Sequence, residues 1–152
     1  VVLRFNVLSP ADCALVYDLH RLSDNKDYDH QNITNGGVTS WDLEKCEQFK
    51  PIQEKLLSCV PDPVISSSFH AISYSPGSYN KMHTDSFQWT IITLIYGQYE
   101  GGELVVGDEV VDLEMGDTIL FPEKTKHGVL PMESGQRTVL VGWINPRRNN
   151  KA

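Results

Sequence analysis

Thr90-Ile91-Ile92-Thr93-Leu94-Ile95 is the stretch that decides the fold. It is nearly continuous in apolar and β-branched residues, which suit an extended, pleated backbone. A strand that is apolar on both of its alternating faces has to be covered on both. One face is therefore expected to line the inside of a barrel, and the other to lie under helices packed outside.

The neighbouring sequence supplies both covers. From Pro63 onward, short β-rich runs alternate with Gly, Pro and Asp turns, at 64–74, 88–96, 103–106, 109–113, 118–121 and 137–144. Strands at this spacing indicate a sandwich or barrel. Gly107-Asp108 fits a tight hairpin and Gly116-Asp117 another turn. On the N-terminal side, residues 1–8 alternate loosely and read as a strand. Ser9-Pro10-Ala11-Asp12 is a helix start, with a capping hydroxyl, a proline in the first turn and an acid. Cys13, Val16, Leu19 and Leu22 then mark one apolar face of a helix ending near Leu22. Residues 23–40 are polar and glycine-containing, and their length suggests a lid or mobile loop. A second helical region follows Ser40, with Trp41, Cys46 and Phe49 apolar. Pro51 must end it, kink it, or start another short helix through Leu57. The expectation is a single domain over residues 1–152, mainly β with N-terminal helices. Residues 1–63 would hold a strand, helices and the candidate lid, and residues 64–146 an open β-barrel with helices against one sheet.

The totals narrow the classes of partner. A net charge of −7 over 152 residues argues against a nucleic-acid backbone as a general partner. No run approaches the roughly 18 apolar residues of a membrane span. The 3 cysteines are odd in number and lack metal-type spacing, so they read as small buried hydrophobes. That suits a reducing compartment and a cytoplasmic location. The chain opens at Val1 rather than Met, so a targeting segment could precede it.

Just before the central strand lies Tyr79-Asn80-Lys81-Met82-His83-Thr84-Asp85. In an extended segment His83 and Asp85 share a face and could hold a metal from one side. Taken alone, the pair could equally be a structural hydrogen bond. His127, in Lys124-Thr125-Lys126-His127-Gly128, is the best third ligand. Two histidines and one carboxylate on one face of an octahedron leave three positions open, the arrangement of non-haem Fe(II) oxygenases.

A charge count brings in Arg137, in Ser134-Gly135-Gln136-Arg137-Thr138. Fe(II) with two neutral imidazoles and a carboxylate carries a net +1. A bidentate 2-oxo acid with a second carboxylate brings −2, and one guanidinium restores neutrality by a two-pronged bond to the distal carboxylate. Val139, Val141 and Trp143 alternate with Arg137 and would share its inward face. The alternative is a surface arginine beside a turn. Tyr74 could donate to the co-substrate or be a core tyrosine. Tyr79 could wall the substrate side, and Trp143 could be a core aromatic or a cover over the open metal position. Tyr28, with Asp27 and His30 in the candidate lid, could meet the substrate. His70 shares the parity of Tyr74 and is a rival ligand, ranked behind because no carboxylate is spaced beside it. His20 and His30 are expected to be solvated.

A resemblance rests on several segments in order: Tyr74-Ser-Pro-Gly-Ser-Tyr79 leading to His83-Thr-Asp85, Tyr99-Glu-Gly-Gly-Glu-Leu104, and Leu113-Glu-Met-Gly-Asp117. They continue with Leu120-Phe-Pro122, His127-Gly-Val-Leu-Pro131, and Gly135-Gln-Arg137 through Gly142-Trp-Ile144. Together they resemble the 2-oxoglutarate and Fe(II)-dependent dioxygenases of the prolyl 4-hydroxylase superfamily, PKHD-type hydroxylases above all. The resemblance implies a double-stranded β-helix, a jelly-roll or cupin-like barrel. It implies metal ligands at His83, Asp85 and His127, with 2-oxoglutarate held by Arg137 and helped by Tyr74. The family often carries a Tyr-Leu-Asn-like strand end where this chain reads Ile95-Tyr96-Gly97-Gln98, which leaves open whether Tyr96 reaches the co-substrate. The implied cofactors are Fe(II), 2-oxoglutarate and O2, with ascorbate as a candidate reductant. The implied reaction hydroxylates a C–H bond, with succinate and CO2 as co-products. A prolyl residue in a peptide or protein, or a free amino acid, leads the substrates. Two rivals are a zinc hydrolase on the same three ligands and a non-catalytic barrel that senses a 2-oxo acid.

Overall fold

The computed structural model describes residues 2–28, 34–35 and 37–147. Its first helix begins where its capping residues dictate. In α1 (Pro10–Leu22), Ser9 Oγ accepts from the Asp12 backbone N–H, and the Asp12 carboxylate accepts from the Ser9 N–H, each at 3.1 Å. This reciprocal pair satisfies two of the helix's free donors. Two single turns of 3-10 helix follow at Leu43–Lys45 and Glu47–Phe49. α2 (Lys50–Leu57) then starts with Pro51 in its first turn, so the proline opens a helix rather than breaking one.

Twelve strands form among the described residues: β1 (Leu3–Asn6), β2 (Lys26–Tyr28), β3 (Thr34–Asn35), β4 (Val38–Ser40), β5 (Ser67–Tyr74), β6 (Tyr79–His83), β7 (Phe87–Gly101), β8 (Leu104–Val106), β9 (Glu109–Val111), β10 (Asp117–Pro122), β11 (His127–Val129) and β12 (Met132–Pro146). They pair antiparallel in two sheets, a seven-stranded β1-β10-β7-β12-β5-β4-β2 and a five-stranded β3-β6-β11-β8-β9. The two sheets face each other as a double-stranded β-helix, with the helices on the outer face of the larger one.

Thr90–Ile95 behaves as its composition demands, since every residue from 90 to 95 is buried. Ile91 and Ile95 join Val16, Phe49, Ile52 and Phe69 in a core beneath the helices. Ile92 and Leu94 join Ile72, Leu104, Ile119 and Val139 in a second core between the sheets. Each such side chain contributes on the order of 1.5–3 kcal/mol when removed from water.

Three expectations are corrected. Residues 23–40 are not a plain loop: β4 and β2 extend the large sheet past β5, and β3 pairs with β6. Their polar side chains hide the fact that the backbone completes a sheet edge, and Thr39 and Ser40 are buried. Residues 29–33 and 36, His30 among them, lie outside the described residues, as does the side chain of Tyr28. His20 is buried rather than solvated, because it falls one helical turn after Val16 on the same face of α1. Its Nδ1 meets Ser40 Oγ at 2.6 Å and its Nε2 meets Ser73 Oγ at 2.9 Å. Finally, Cys13 is buried but Cys46 and Cys59 are only half-buried.

Candidate active site

β6 and β11 run antiparallel with His83 directly opposite His127. Gly128 allows the close approach. A Cβ there would lie 2.6 Å from the Asn80 carbonyl oxygen and 2.9 Å from the Met82 nitrogen, space that no side chain can share. Asp85 sits just beyond the end of β6 rather than in the strand, yet its carboxylate reaches both rings. Its Oδ2 is 3.1 Å from His127 Nε2 and its Oδ1 is 3.5 Å from His83 Nε2. Ligating atoms of all three residues lie within 4.8 Å of one another.

The backbone fixes how the rings point. His83 Nδ1–H donates to the Lys81 carbonyl at 2.7 Å, and His127 Nδ1–H donates to the Thr125 carbonyl at 3.0 Å. Both Nε2 atoms are thereby turned toward Asp85, the outer-shell arrangement that orients metal-binding imidazoles. Burial pushes the Asp85 carboxyl up, but hydrogen bonds from His127 and His83 outweigh it and hold the group well below the usual carboxylate range. The His83 imidazole is raised, chiefly by its hydrogen bond to Asp85. Thr90 Oγ1 donates to Asp85 Oδ2 at 3.2 Å. A negatively charged carboxylate between two oriented imidazoles suits a divalent cation.

These residues open onto a cavity of about 340 Å³ between the sheets, which also takes in Tyr74, Arg137 and Trp143. Arg137 is only 2% exposed, and its Nε and Nη1 have no hydrogen-bond partner. Its guanidinium lies 5.4 Å from the ring centre of Tyr74, its cross-strand neighbour on β5, within cation–π range. Arg137, Val139, Val141 and Trp143 all line the cavity, as their alternation along β12 requires. A buried guanidinium with free N–H groups fits a carboxylate ligand.

The structure places other candidates elsewhere. Thr138 pairs with Tyr96 but Val139 pairs with Leu94, so Ile95 is an extra residue in β7. This bulge turns Tyr96 to the helix side, where its ring packs 5.2 Å from that of Tyr17. The Tyr96 ring thus lies against α1 and outside the residues that line the cavity. A second bulge, between His83–His127 and Asn80–Val129, turns Asn80 into the cavity and Tyr79 out of it. Tyr79 instead lines a neighbouring groove of about 270 Å³ with Met82 and Leu130 and does not line the cavity itself. His70 does not join the three converging residues. It forms part of the cavity wall, and burial, slightly opposed by Asp85, lowers it to about 4. Sequence reasoning overlooked Trp41, Asn80 and Thr90 as lining residues. Only Trp41, a large aromatic directly after a polar stretch, gave any signal.

Comparison with known proteins agrees with this geometry. Residues 69–145 match the model of the 2OG-Fe(II) oxygenase superfamily. A PKHD-type hydroxylase from Psychrobacter sp. is 37% identical over 79 residues, covering 49% of this chain and 30% of that protein. The chain thus spans about a third of the length of the curated relatives it matches. A prolyl-4-hydroxylase of Pseudomonas putida superposes with a TM-score of 0.71 at 18% identity, over 97% of this chain and 93% of that one. A prolyl hydroxylase from Trichoplax adhaerens, solved with a hypoxia-inducible-factor oxygen degradation domain peptide, gives 0.77 at 16% identity, over 95% and 83%. With the matched segment running from the helix-side core of β5 to the end of β12 and enclosing all three converging residues, the chain belongs to the 2OG-Fe(II) oxygenase superfamily.

Proposed function

We propose that the protein is a 2-oxoglutarate- and Fe(II)-dependent hydroxylase of the prolyl 4-hydroxylase type. The observation that carries this reading is a buried, unsaturated Arg137 in the same cavity as the His83, Asp85 and His127 cluster. His83 and His127 would hold the metal through Nε2, with their Nδ1–H bonds to Lys81 and Thr125 keeping the rings from rotating. Asp85 would supply one negative charge to the cation, and Thr90 would steady its second oxygen. Arg137 would grip the distal carboxylate of 2-oxoglutarate, with Tyr74 beside it. Iron bound with 2-oxoglutarate and O2 supplies oxidation of a substrate C–H bond, with succinate and CO2 as co-products. Ile72, Ile92, Leu104 and Val139 give the cavity an apolar lining around these groups. The substrate is proposed to be a prolyl residue in a peptide or protein, or a free amino acid. The peptide bound by the Trichoplax neighbour favours the first.

The test is to incubate protein, Fe(II), 2-oxoglutarate, O2 and ascorbate with pools of peptides and amino acids. The expected result is succinate formation together with a product heavier by one oxygen atom. Cleavage of a substrate by addition of water, with no need for 2-oxoglutarate, would point to the zinc hydrolase instead. Tight 2-oxoglutarate binding with no succinate from any pool would leave only a sensing barrel.

A further inference from the structure

One wall of the cavity is aromatic. His70 on β5 lies with its ring centre 4.5 Å from Trp41, nearly parallel at 27°, and 4.5 Å from Trp143. Trp143 in turn stacks on Phe87 at 4.8 Å and 2°. Within this stack two polar atoms are stranded. His70 is 6% exposed, yet its Nδ1 has no partner, and Trp143 Nε1–H is buried with none. A buried donor or acceptor left unmade costs on the order of 1–3 kcal/mol. His20 shows the alternative within the same fold, since both of its nitrogens meet serine hydroxyls.

Both stranded atoms belong to residues that line the cavity. We infer that His70 and Trp143 bind a neutral amide of the substrate and so select amide-bearing substrates over those presenting a free carboxylate. The inference rests on the proposed oxygenase site. Trp143 N–H can only donate, which suits the amide oxygen. A neutral imidazole has one nitrogen that accepts and one that donates, so it can complement the amide N–H. Charge excludes the carboxylate. Arg137 is the one lysine or arginine among the described residues lining the cavity, and the dicarboxylate co-substrate would claim it. Burial holds His70 uncharged at neutral pH. With Fe(II), Asp85, the bound dianion and Arg137 summing to zero, a substrate carboxylate would add a buried charge with no counter-ion left to meet it.

The experiment uses anaerobic protein loaded with Fe(II). Calorimetry measures 2-oxoglutarate binding first. The loaded complex is then titrated with N-acetyl N′-methylamides of the proteinogenic amino acids, and with the same amino acids unblocked. At least one amide should bind, and its free counterpart should bind about tenfold more weakly or worse. His70→Leu and Trp143→Phe should each weaken that amide about tenfold, the size of one lost hydrogen bond, and shrink its advantage. His70→Gln, which keeps a donor and an acceptor, should recover most of it. If His70→Leu does not fold, Trp143→Phe, which keeps an aromatic ring in the stack, decides the matter. Free amino acids binding as well as amides, neither set binding, or an undiminished amide preference in Trp143→Phe would each overturn the inference. Failure of wild-type protein to bind 2-oxoglutarate would instead overturn the oxygenase reading.

Discussion

The two faces of the seven-stranded sheet are built from the same strands and treat polar atoms in opposite ways. On β5, Phe69 and Ala71 point to the helices, while His70, Ile72 and Tyr74 point to the cavity. Toward the helices, polar groups are matched: His20 lies between two serines, Ser73 meets Thr138 at 2.7 Å, and Thr93 meets Thr118 at 2.7 Å. Toward the cavity several are not. Every buried side-chain nitrogen or oxygen left without a partner among the described residues belongs to His70, Asn80, Arg137 or Trp143, and all four line the cavity. A buried polar atom without a partner is unfavourable in the free protein and favourable only with a ligand present. The saturated face holds the fold, and the unsaturated face is where binding is expected.

The largest effect should come from the cavity face. Asp85→Ala removes the carboxylate between the two imidazoles. Fe(II) affinity should fall by more than the roughly 10–100-fold typical of losing an outer-shell partner, and succinate formation should disappear. Metal titration and circular dichroism together check this, and full iron occupancy in a folded variant would break the contrast.

Next is Arg137→Ala, which should still bind Fe(II). Leaving the co-substrate carboxylate without its partner should cost about 3–5 kcal/mol, more than a hundredfold in 2-oxoglutarate affinity. An unchanged affinity would mean the unsaturated guanidinium has another purpose.

A smaller effect should separate the helix face by pH. Burial lowers His20 to about 4, with Lys26 adding to the shift. A histidine lowered in the folded state is protonated more readily when unfolded. Its stabilising effect is therefore complete above about 6.5 and is lost as pH falls toward 4. His70 contributes with the same sign. His20→Gln should flatten the fall in Tm between pH 6.5 and 4 and leave 2-oxoglutarate affinity at neutral pH unchanged. A pH dependence identical to wild type would show that the His20 contacts do not hold it neutral.

The smallest effect sharpens the boundary between the faces. Tyr96 packs on Tyr17 of α1, so Tyr96→Phe should shift 2-oxoglutarate affinity by no more than about twofold, the range of a substitution that touches no binding group. A tenfold loss would put the tyrosine hydroxyl in the cavity after all.

Much of this was legible in the chain itself. The doubly apolar run 90–95, the Ser9-Pro10 helix start and the strand periodicity of 137–144 all describe nearest-neighbour patterns, and local propensity and parity govern those directly. The pairing of His83 with Asp85 and the inward parity of Arg137 belong to the same class. What the chain alone could not reveal depends on interactions across sequence. Two bulges, at Ile95 and between Asn80 and His83, shift the alternation that simple parity would give Tyr96 and Tyr79, and a bulge exists only relative to the partner strand. β2, β3 and β4 are polar segments whose strand character comes from the edges they complete at β5 and β6. His20 looked polar in isolation and is buried because Ser40 and Ser73, distant in sequence, meet its nitrogens. The absence of such partners around His70 and Arg137 was likewise decided only in three dimensions, since whether a polar atom is satisfied depends on which groups the fold brings within about 3 Å of it.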